Sequence, residues 1–130
     1  MSGLHFRSRI NTEKVVRAAN RANFTCLTHA AAAIRLTARR SIRRSKRQSS
    51  PGSPPHTRAG QLKRAILYAV ERQKANAIIG PSAQVVGTSG HAHEFGGRYR
   101  KQNYPKRSFM GPALMENLPR LPKFWRGSVR

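Results

Sequence analysis

The segment HAHEFGGRYRKQNYPKRSFMGPALM, residues 91–115, decides how this chain folds. It combines aromatic and apolar side chains with a glycine pair, Gly96 and Gly97, and with Pro112. Glycine adopts positive φ angles without strain, so we expect a sharp reversal of the backbone directly after Phe95. Proline is well tolerated in the first turn of a helix, so a short C-terminal helix is expected to begin at Pro112. The segment therefore predicts a folded junction.

Between the glycine pair and this helix, residues 98–103 are predicted to form a polar loop. Residues 104–110 are expected to return as an extended segment at an edge, because Pro105 has no N–H to donate to a strand ladder. Phe109 and Met110 supply large apolar side chains at the end of this segment. Both are expected to pack against the rest of the chain.

Glu94 is the one acid in this segment and one of four in the whole chain. It lies beside the glycine pair, and arginines and lysines follow it. Because nearby positive charges favour the ionised form of a carboxyl group, we expect nearby cations to hold Glu94 as a carboxylate.

On the N-terminal side, a helical pattern begins at Thr12, with Glu13 in its first turn. Apolar residues then recur at steps of three and four, which predicts one buried face of a helix. Cys26 lies on this face and is expected to be a buried thiol without a reactive role. If the helix continues to about Gln48, it is ~50 Å long at 1.5 Å per residue, and its far end would project from a domain of this size.

The far end of this helix is strongly basic. One interpretation is a solvated helix end whose cations complement the helix dipole. The density of charge favours the other interpretation, which is contact with DNA phosphates or with an acidic partner. The residues expected to make this contact are Arg35, Arg39, Arg40, Arg43, Arg44, Lys46 and Arg47.

A Ser- and Pro-rich segment, residues 48–55, breaks the pattern and is expected to form a mobile loop. Beyond it, a turn or short helix from Gly60 leads into a predicted strand at residues 66–71, although periodicity alone would also allow a helix over 62–74. A hairpin connection and a second strand at residues 76–80 follow, and residues 84–87 are a candidate third strand.

These elements predict an α+β fold, with a long N-terminal α-helix packed on a small antiparallel β-sheet and a short C-terminal helix. Residues 1–11 are expected to form an N-terminal arm. Residues 12–130 are expected to form one domain, with the projecting basic helix end and the Pro-rich loop at 35–58. Trp125 has two interpretations, as a core residue or as an interface anchor, and exposure would favour the anchor.

Composition restricts the function. The 130 residues carry 26 Lys and Arg against 4 acids, a formal net charge of +22, and no aspartate. Such a chain attracts polyanions and acidic protein surfaces. The single cysteine excludes an internal disulfide, no apolar run reaches the ~20 residues of a membrane span, and the N-terminus has no signal-peptide pattern. We expect synthesis and use in a cytoplasm, and no membrane contact.

No pattern of catalytic residues is present. His91, His93 and Glu94 are the nearest approach to a metal site, but the two imidazoles share a face only in a strand, where Glu94 points away. Paired carboxylates, a phosphate-binding glycine loop and a nucleophilic triad are absent from the sequence. We therefore expect a protein that is not an enzyme and has no metal and no cofactor.

Two parts of the chain resemble a known family. HEFGG, a basic loop and then KRSFMGPALMENL resemble the EFG … RPF(M/L)xPAL signature of neck and tail-completion proteins of long-tailed bacteriophages. Upstream, SSPGSPPHTRAGQLKRAILY resembles the PPGxPP…G.L..SI.Y segment of the same family. The resemblance covers residues 49–118 in the same order. The chain departs from it at Ser108, where the family usually has proline, and the long basic N-terminal part is less typical.

The resemblance implies a structural component of the head–tail connector, which forms a ring of six or twelve copies around the DNA passage and joins head to tail. It implies neighbouring connector, head-closure and tail proteins as partners, double-stranded DNA in the channel, and a place in the virion neck after assembly in the host cytoplasm. The residues expected to pack the fold or the subunit interface are Phe95, Gly96, Gly97, Phe109, Met110, Pro112 and Trp125.

A second interpretation belongs to another class of protein. A small basic nucleic-acid-binding protein without enzymatic activity would use the same arginine-rich helix end, which would contact phosphates without reading bases. Assembly separates the two interpretations. A ring component forms a defined oligomer that survives salt, whereas a simple binder stays monomeric and binds any duplex with a steep salt dependence.

Overall fold

The computed structural model describes residues 12–128. The predicted N-terminal arm, residues 1–11, lies outside this part of the chain. Its helices and strands follow one another in this order: α1 Thr12–Ser41, β1 Arg43–Arg44, β2 His56–Thr57, α2 Gln61–Ala65, β3 Ile66–Glu71, β4 Asn76–Pro81, α3 Ala83–Val86, α4 Ser89–Phe95, β5 Gly97–Tyr99, β6 Gln102–Tyr104, α5 Met110–Asn117, a 3-10 helix Leu118–Arg120 and α6 Leu121–Trp125.

The long helix α1 organises the molecule. It has 30 residues, or about 45 Å, and it packs against the β3–β4 hairpin, α5 and α6. Its buried residues, Cys26, Ala30, Ala31, Ile34 and Ala38, belong to the predicted apolar stripe. The predicted α+β class, with a long N-terminal helix, small antiparallel sheets and a short C-terminal helix, is confirmed.

The basic segment that was predicted to project as the end of the helix is not helical beyond Ser41, where α1 ends. The Ser41 hydroxyl donates to the Ala38 carbonyl, and Ile42 turns inward and is completely buried. Arg43–Arg44 then pairs in parallel with His56–Thr57. A continued helix would place like charges one turn apart and leave Ile42 outside the core, so burial and strand pairing override local helix propensity.

The β3–β4 hairpin confirms both strands predicted between residues 66 and 80. Its register runs from Ile66 opposite Pro81 to Glu71 opposite Asn76. One face contains the buried Ile66 and packs on α1, whereas Leu67 and Ile78 on the other face are 48% and 59% exposed. The hairpin thus presents apolar side chains on both faces.

The prediction of a third strand at residues 84–87 is wrong. Ala83–Val86 forms the short helix α3, in which the N–H groups of Val85 and Val86 donate to the Ser82 carbonyl. The chain leaves the hairpin at Ser82, whose own N–H donates to the Ala65 carbonyl, and it therefore does not lie alongside β4. The described strands form three separate two-stranded sheets, of which β1–β2 is parallel and the other two are antiparallel.

The Pro-rich loop is anchored, in contrast to the mobile loop that the sequence predicted. The Gly52 N–H donates to the Lys106 carbonyl at 2.9 Å, and Arg107 Nε donates to the Ser49 carbonyl at 3.0 Å. Pro55 is completely buried. The loop therefore packs against the segment that leads into α5.

The core lies where α1, the start of the hairpin and α5 meet. Its buried members are Ile34, Ala38, Ile42, Leu62, Ile66, Phe109 and Ala113. Cys26 is buried as predicted, and its thiol lies 2.8 Å from the Phe124 carbonyl. The helix α5 ends at Asn117, and Pro119 and Pro122 beyond it occupy the first turns of the 3-10 helix and of α6.

Candidate functional site

Glu94 joins the two ends of the segment that the sequence singled out. It lies in α4, and its Oε2 accepts hydrogen bonds from the N–H groups of Phe109 and Met110, both at 2.8 Å. Its Oε1 accepts from the Gly111 N–H at 2.9 Å. The expectation that nearby cations hold this carboxylate is corrected, since its partners are the free N–H groups at the start of α5. A carboxylate suits this position because it satisfies three orphan donors and the helix dipole together.

Further hydrogen bonds tie the same two ends together. The Ser108 hydroxyl donates to the Glu94 carbonyl at 2.8 Å, and the Arg107 N–H donates to the His93 carbonyl at 2.6 Å. Gly96 has φ of 74°, and a Cβ at that position would lie 3.3 Å from the backbone of Tyr104 and Lys106. The predicted reversal after Phe95 is confirmed, and it presses the α4–β5 turn against the returning chain.

The histidines of this segment have separate surroundings. They lie in α4 rather than in a strand, so His91 contacts Phe95 one turn later, with ring centroids 4.8 Å apart. His93 contacts Tyr104 instead, with ring centroids 5.0 Å apart. Burial and then the positive charge of Arg107 lower the pKa of His93. Within residues 12–128 no group of three or more His, Cys, Asp and Glu side chains is placed to hold a metal ion.

An apolar groove lies beside this junction, between α1, the end of the hairpin, α4 and the start of α5. Its volume is about 590 Å³, and Ile34, Ile79, Phe95 and Leu114 are among the side chains that line it. The Phe95 side chain in this lining is 66% exposed. The groove therefore offers a large apolar surface that the rest of the described chain leaves open.

The residues predicted for packing or subunit contact divide into two groups. Phe109 is buried in the core and Met110 packs against it, whereas Phe95 and Pro112 are exposed. Gly96 and Gly97 form the reversal, and Pro112 lies in the first turn of α5, which begins two residues earlier than predicted. Trp125 is half-buried, and its Nε1–H donates to Asn23 Oδ1 at 2.9 Å, which places it against α1.

The residues predicted for polyanion contact do not lie on one projecting helix. Arg35 is half-buried, and its Nε donates to the Ile66 carbonyl at 2.7 Å, so it supports the start of β3. Arg39 is also half-buried. The remaining members are exposed on the last turn of α1, on β1 and on the segment after it, namely Arg40, Arg43, Arg44, Lys46 and Arg47.

Sequence reasoning missed the buried polar residues of the fold. Asn117 is completely buried, and its Nδ2 donates to Thr37 Oγ1 and to the Ala113 carbonyl, which links α5 to α1. Arg107 is buried although its neighbours along the chain are cationic and polar. The signal for Asn117 was its spacing of four from Ala113 on the buried face of a helix. No local signal separates Arg107 from the exposed arginines.

Comparisons with known proteins give no significant match, since no family model, no curated protein and no solved structure matches this chain. No helix in the described range is both long enough and apolar enough to cross a membrane.

Proposed function

We propose that this chain is a structural subunit of the head–tail connector of a long-tailed bacteriophage, a neck or tail-completion protein that assembles as a ring around the DNA passage. The observation that carries this proposal is the apolar surface left open on a chain of very high charge. Exposed apolar grooves and faces are common sites of protein–protein contact. The groove beside Phe95 and the outer hairpin face with Leu67 and Ile78 supply that surface.

The resemblance gains a physical basis from the same region. Its two halves, HEFGG and SFMGPAL, contact each other through the Glu94 carboxylate. A glutamate, a glycine reversal and a helix start are what this tertiary cap needs at those positions, so the pattern describes one junction rather than two unrelated motifs. This supports membership of the family, from which the neck function follows.

In this function the apolar surfaces join neighbouring copies, and closed rotational symmetry gives each copy the same two contacts. The exposed cations of β1 and its flanks then face either the DNA in the channel or an acidic neighbouring ring. The chain performs no catalysis in this role. It uses no metal or cofactor, and it is located in the virion neck after assembly in the host cytoplasm.

The test is native mass spectrometry of the full chain over a series of salt concentrations. A ring of six or twelve copies that persists at high salt is the expected result, because apolar contacts are not screened. The same experiment with added phage connector proteins, if the chain is monomeric alone, should give a complex of defined stoichiometry. A chain that stays monomeric in both experiments contradicts the proposal.

A second candidate function is sequence-independent binding of nucleic acid. Arg43, Arg44 and Arg47 are exposed, and in the described part of the chain no carboxylate pairs with them. In that case the logarithm of the binding constant for any duplex should fall steeply and linearly with the logarithm of salt concentration. Steep salt dependence together with a monomeric chain would favour this function over the ring.

A further inference from the structure

A small polar pocket lies between the Pro-rich loop, α4 and β6. Its volume is about 200 Å³. Side chains from four separate segments line it, and no carboxylate is among them. The lining residues that matter for its chemistry are Ser49, His56, His93, Tyr104 and Arg107. A pocket lined by possible hydrogen-bond donors and by no acid suits an anion.

Arg107 gives the pocket its charge. The side chain is only 8% exposed, and its Nε donates to the Ser49 carbonyl. Among residues 12–128 no carboxylate pairs with it, and its terminal nitrogens make no hydrogen bond to any of them. Because these nitrogens have no partner in the described chain, the guanidinium can donate to an anion that enters the pocket.

Two further polar groups at the pocket have no partner. Ser49 is 7% exposed, and neither its Oγ nor His93 Nδ1 makes a hydrogen bond within the described chain, although both atoms are buried. Burial and the charge of Arg107 lower the pKa of His93, so its imidazole is neutral at pH 7. The other titratable side chains around it are His56 from β2 and Tyr104 from β6. Arg107 therefore supplies a permanent positive charge at the pocket.

We infer that this pocket binds a phosphate group, held by the Arg107 guanidinium and, once the Ser49 side chain rotates toward the ligand, by its hydroxyl. Donors that converge from several segments suit a tetrahedral oxyanion better than a planar carboxylate, which a single guanidinium can satisfy in one plane.

The surroundings of the pocket suit a chain of phosphates. Arg43 lies opposite His56 in the β1–β2 pair, and the exposed Lys106 precedes Arg107. The source is the backbone of a nucleic acid or free phosphate, and the site does not depend on ring assembly.

The test is a titration of the isotope-labelled full chain with inorganic phosphate, followed by amide NMR at constant ionic strength. We expect saturable shifts confined to residues 48–56, 93 and 102–107. Arg107→Lys keeps the charge but loses the planar fork, and it should weaken phosphate binding by about tenfold or more. Arg126→Lys, the same change at an exposed position in the C-cap of α6, should leave the affinity within about twofold.

Ser49→Ala keeps the inference testable if Arg107→Lys fails to fold. It removes the unpartnered hydroxyl and keeps the carbonyl that Arg107 uses, so the fold should survive while phosphate affinity falls about threefold or more. Ser50→Ala, at the exposed next position, is its matched control. Unchanged affinity in Ser49→Ala, or shifts that spread over the exposed cations without saturating, would overturn the inference.

A second titration identifies the source of the phosphate. If a short DNA duplex shifts the same amides and inorganic phosphate competes for them, the pocket takes a backbone phosphate. If the duplex leaves these amides unchanged while inorganic phosphate saturates them, the ligand is free phosphate. Saturation by a glutamate-rich peptide but not by phosphate would overturn the assignment in favour of an acidic protein.

Discussion

Glu94 caps α5 from a distance of 15 residues along the chain, because its two oxygens accept the N–H groups of Phe109, Met110 and Gly111. The sequence showed the isolated acid and the helix start at Gly111-Pro112, but not that they meet. Their contact depends on the reversal at Gly96 and on the return of the chain after β6. Local sequence patterns predict each element of such a junction, whereas the hydrogen bonds between the elements depend on how the chain folds back on itself.

Replacing Glu94 tests this cap. Glu94→Gln keeps the shape but removes the charge and one acceptor oxygen, so we expect a loss of about 1–2 kcal/mol in the free energy of unfolding. Chemical denaturation measures this loss. Glu116→Gln is the control, because Glu116 is exposed on α5, and it should change stability by less than ~0.5 kcal/mol. Equal stability of the Glu94 variant and the wild type would show that the three hydrogen bonds contribute little.

His93 makes stability depend on pH. Burial and the positive charge of Arg107 lower the pKa of His93 in the folded state below the ordinary histidine value of 6.5. The unfolded chain therefore binds a proton more readily, and the stability present above pH 6.5 is lost as the pH falls toward the folded-state pKa. His93→Gln should reduce the loss of unfolding free energy between pH 7.5 and pH 5, whereas His91→Gln, at an exposed ring, should not. A pH dependence that is the same in both variants would assign it to other groups.

At the scale of elements, the β3–β4 hairpin was the most predictable part and the end of α1 the least. Residues 66–71 and 76–80 have strand composition, and the turn between them has the length of a hairpin connection, so local chemistry and tertiary structure agree. At Ile42 they disagree. Helix propensity favours a longer α1, but the buried site for Ile42 and the pairing of Arg43–Arg44 with His56–Thr57 are formed by parts of the chain far away in sequence.

Ile42 is therefore expected to hold the end of α1 in place. Ile42→Ala removes a completely buried side chain from the core cluster that also contains Phe109, and it should cost about 2–4 kcal/mol of unfolding free energy. Leu36→Ala, at an exposed position of the same helix, should cost less than ~1 kcal/mol. If α1 extended past Ser41 in solution, Ile42 would leave the core and the two variants would lose similar amounts.

The molecule as a whole combines a small core with surfaces that need partners. The core is built from α1, the hairpin and α5. The sequence predicted α1 from periodicity, the hairpin from strand composition and α5 from Pro112. Composition alone predicted the polyanion contacts, and it placed them on one projecting helix, whereas the structure divides them between half-buried supports such as Arg35 and exposed residues such as Arg43. Charge is a property of composition, but its distribution over the surface depends on where the chain turns.

The apolar groove is where folding stability and assembly can be separated. Phe95→Ser changes a side chain that is 66% exposed, so the free energy of unfolding should change by less than ~1 kcal/mol. If the groove joins neighbouring copies, the same change should weaken assembly by tenfold or more, since truncating a central aromatic anchor costs about 2 kcal/mol or more. Sedimentation velocity over a range of concentrations measures this shift.

Val15→Ser is the control, because Val15 is about half exposed near the start of α1 and about 28 Å from Ile34 along the helix. Equal assembly of the two variants would place the subunit contact elsewhere, and the outer hairpin face with Leu67 and Ile78 would be the next surface to replace.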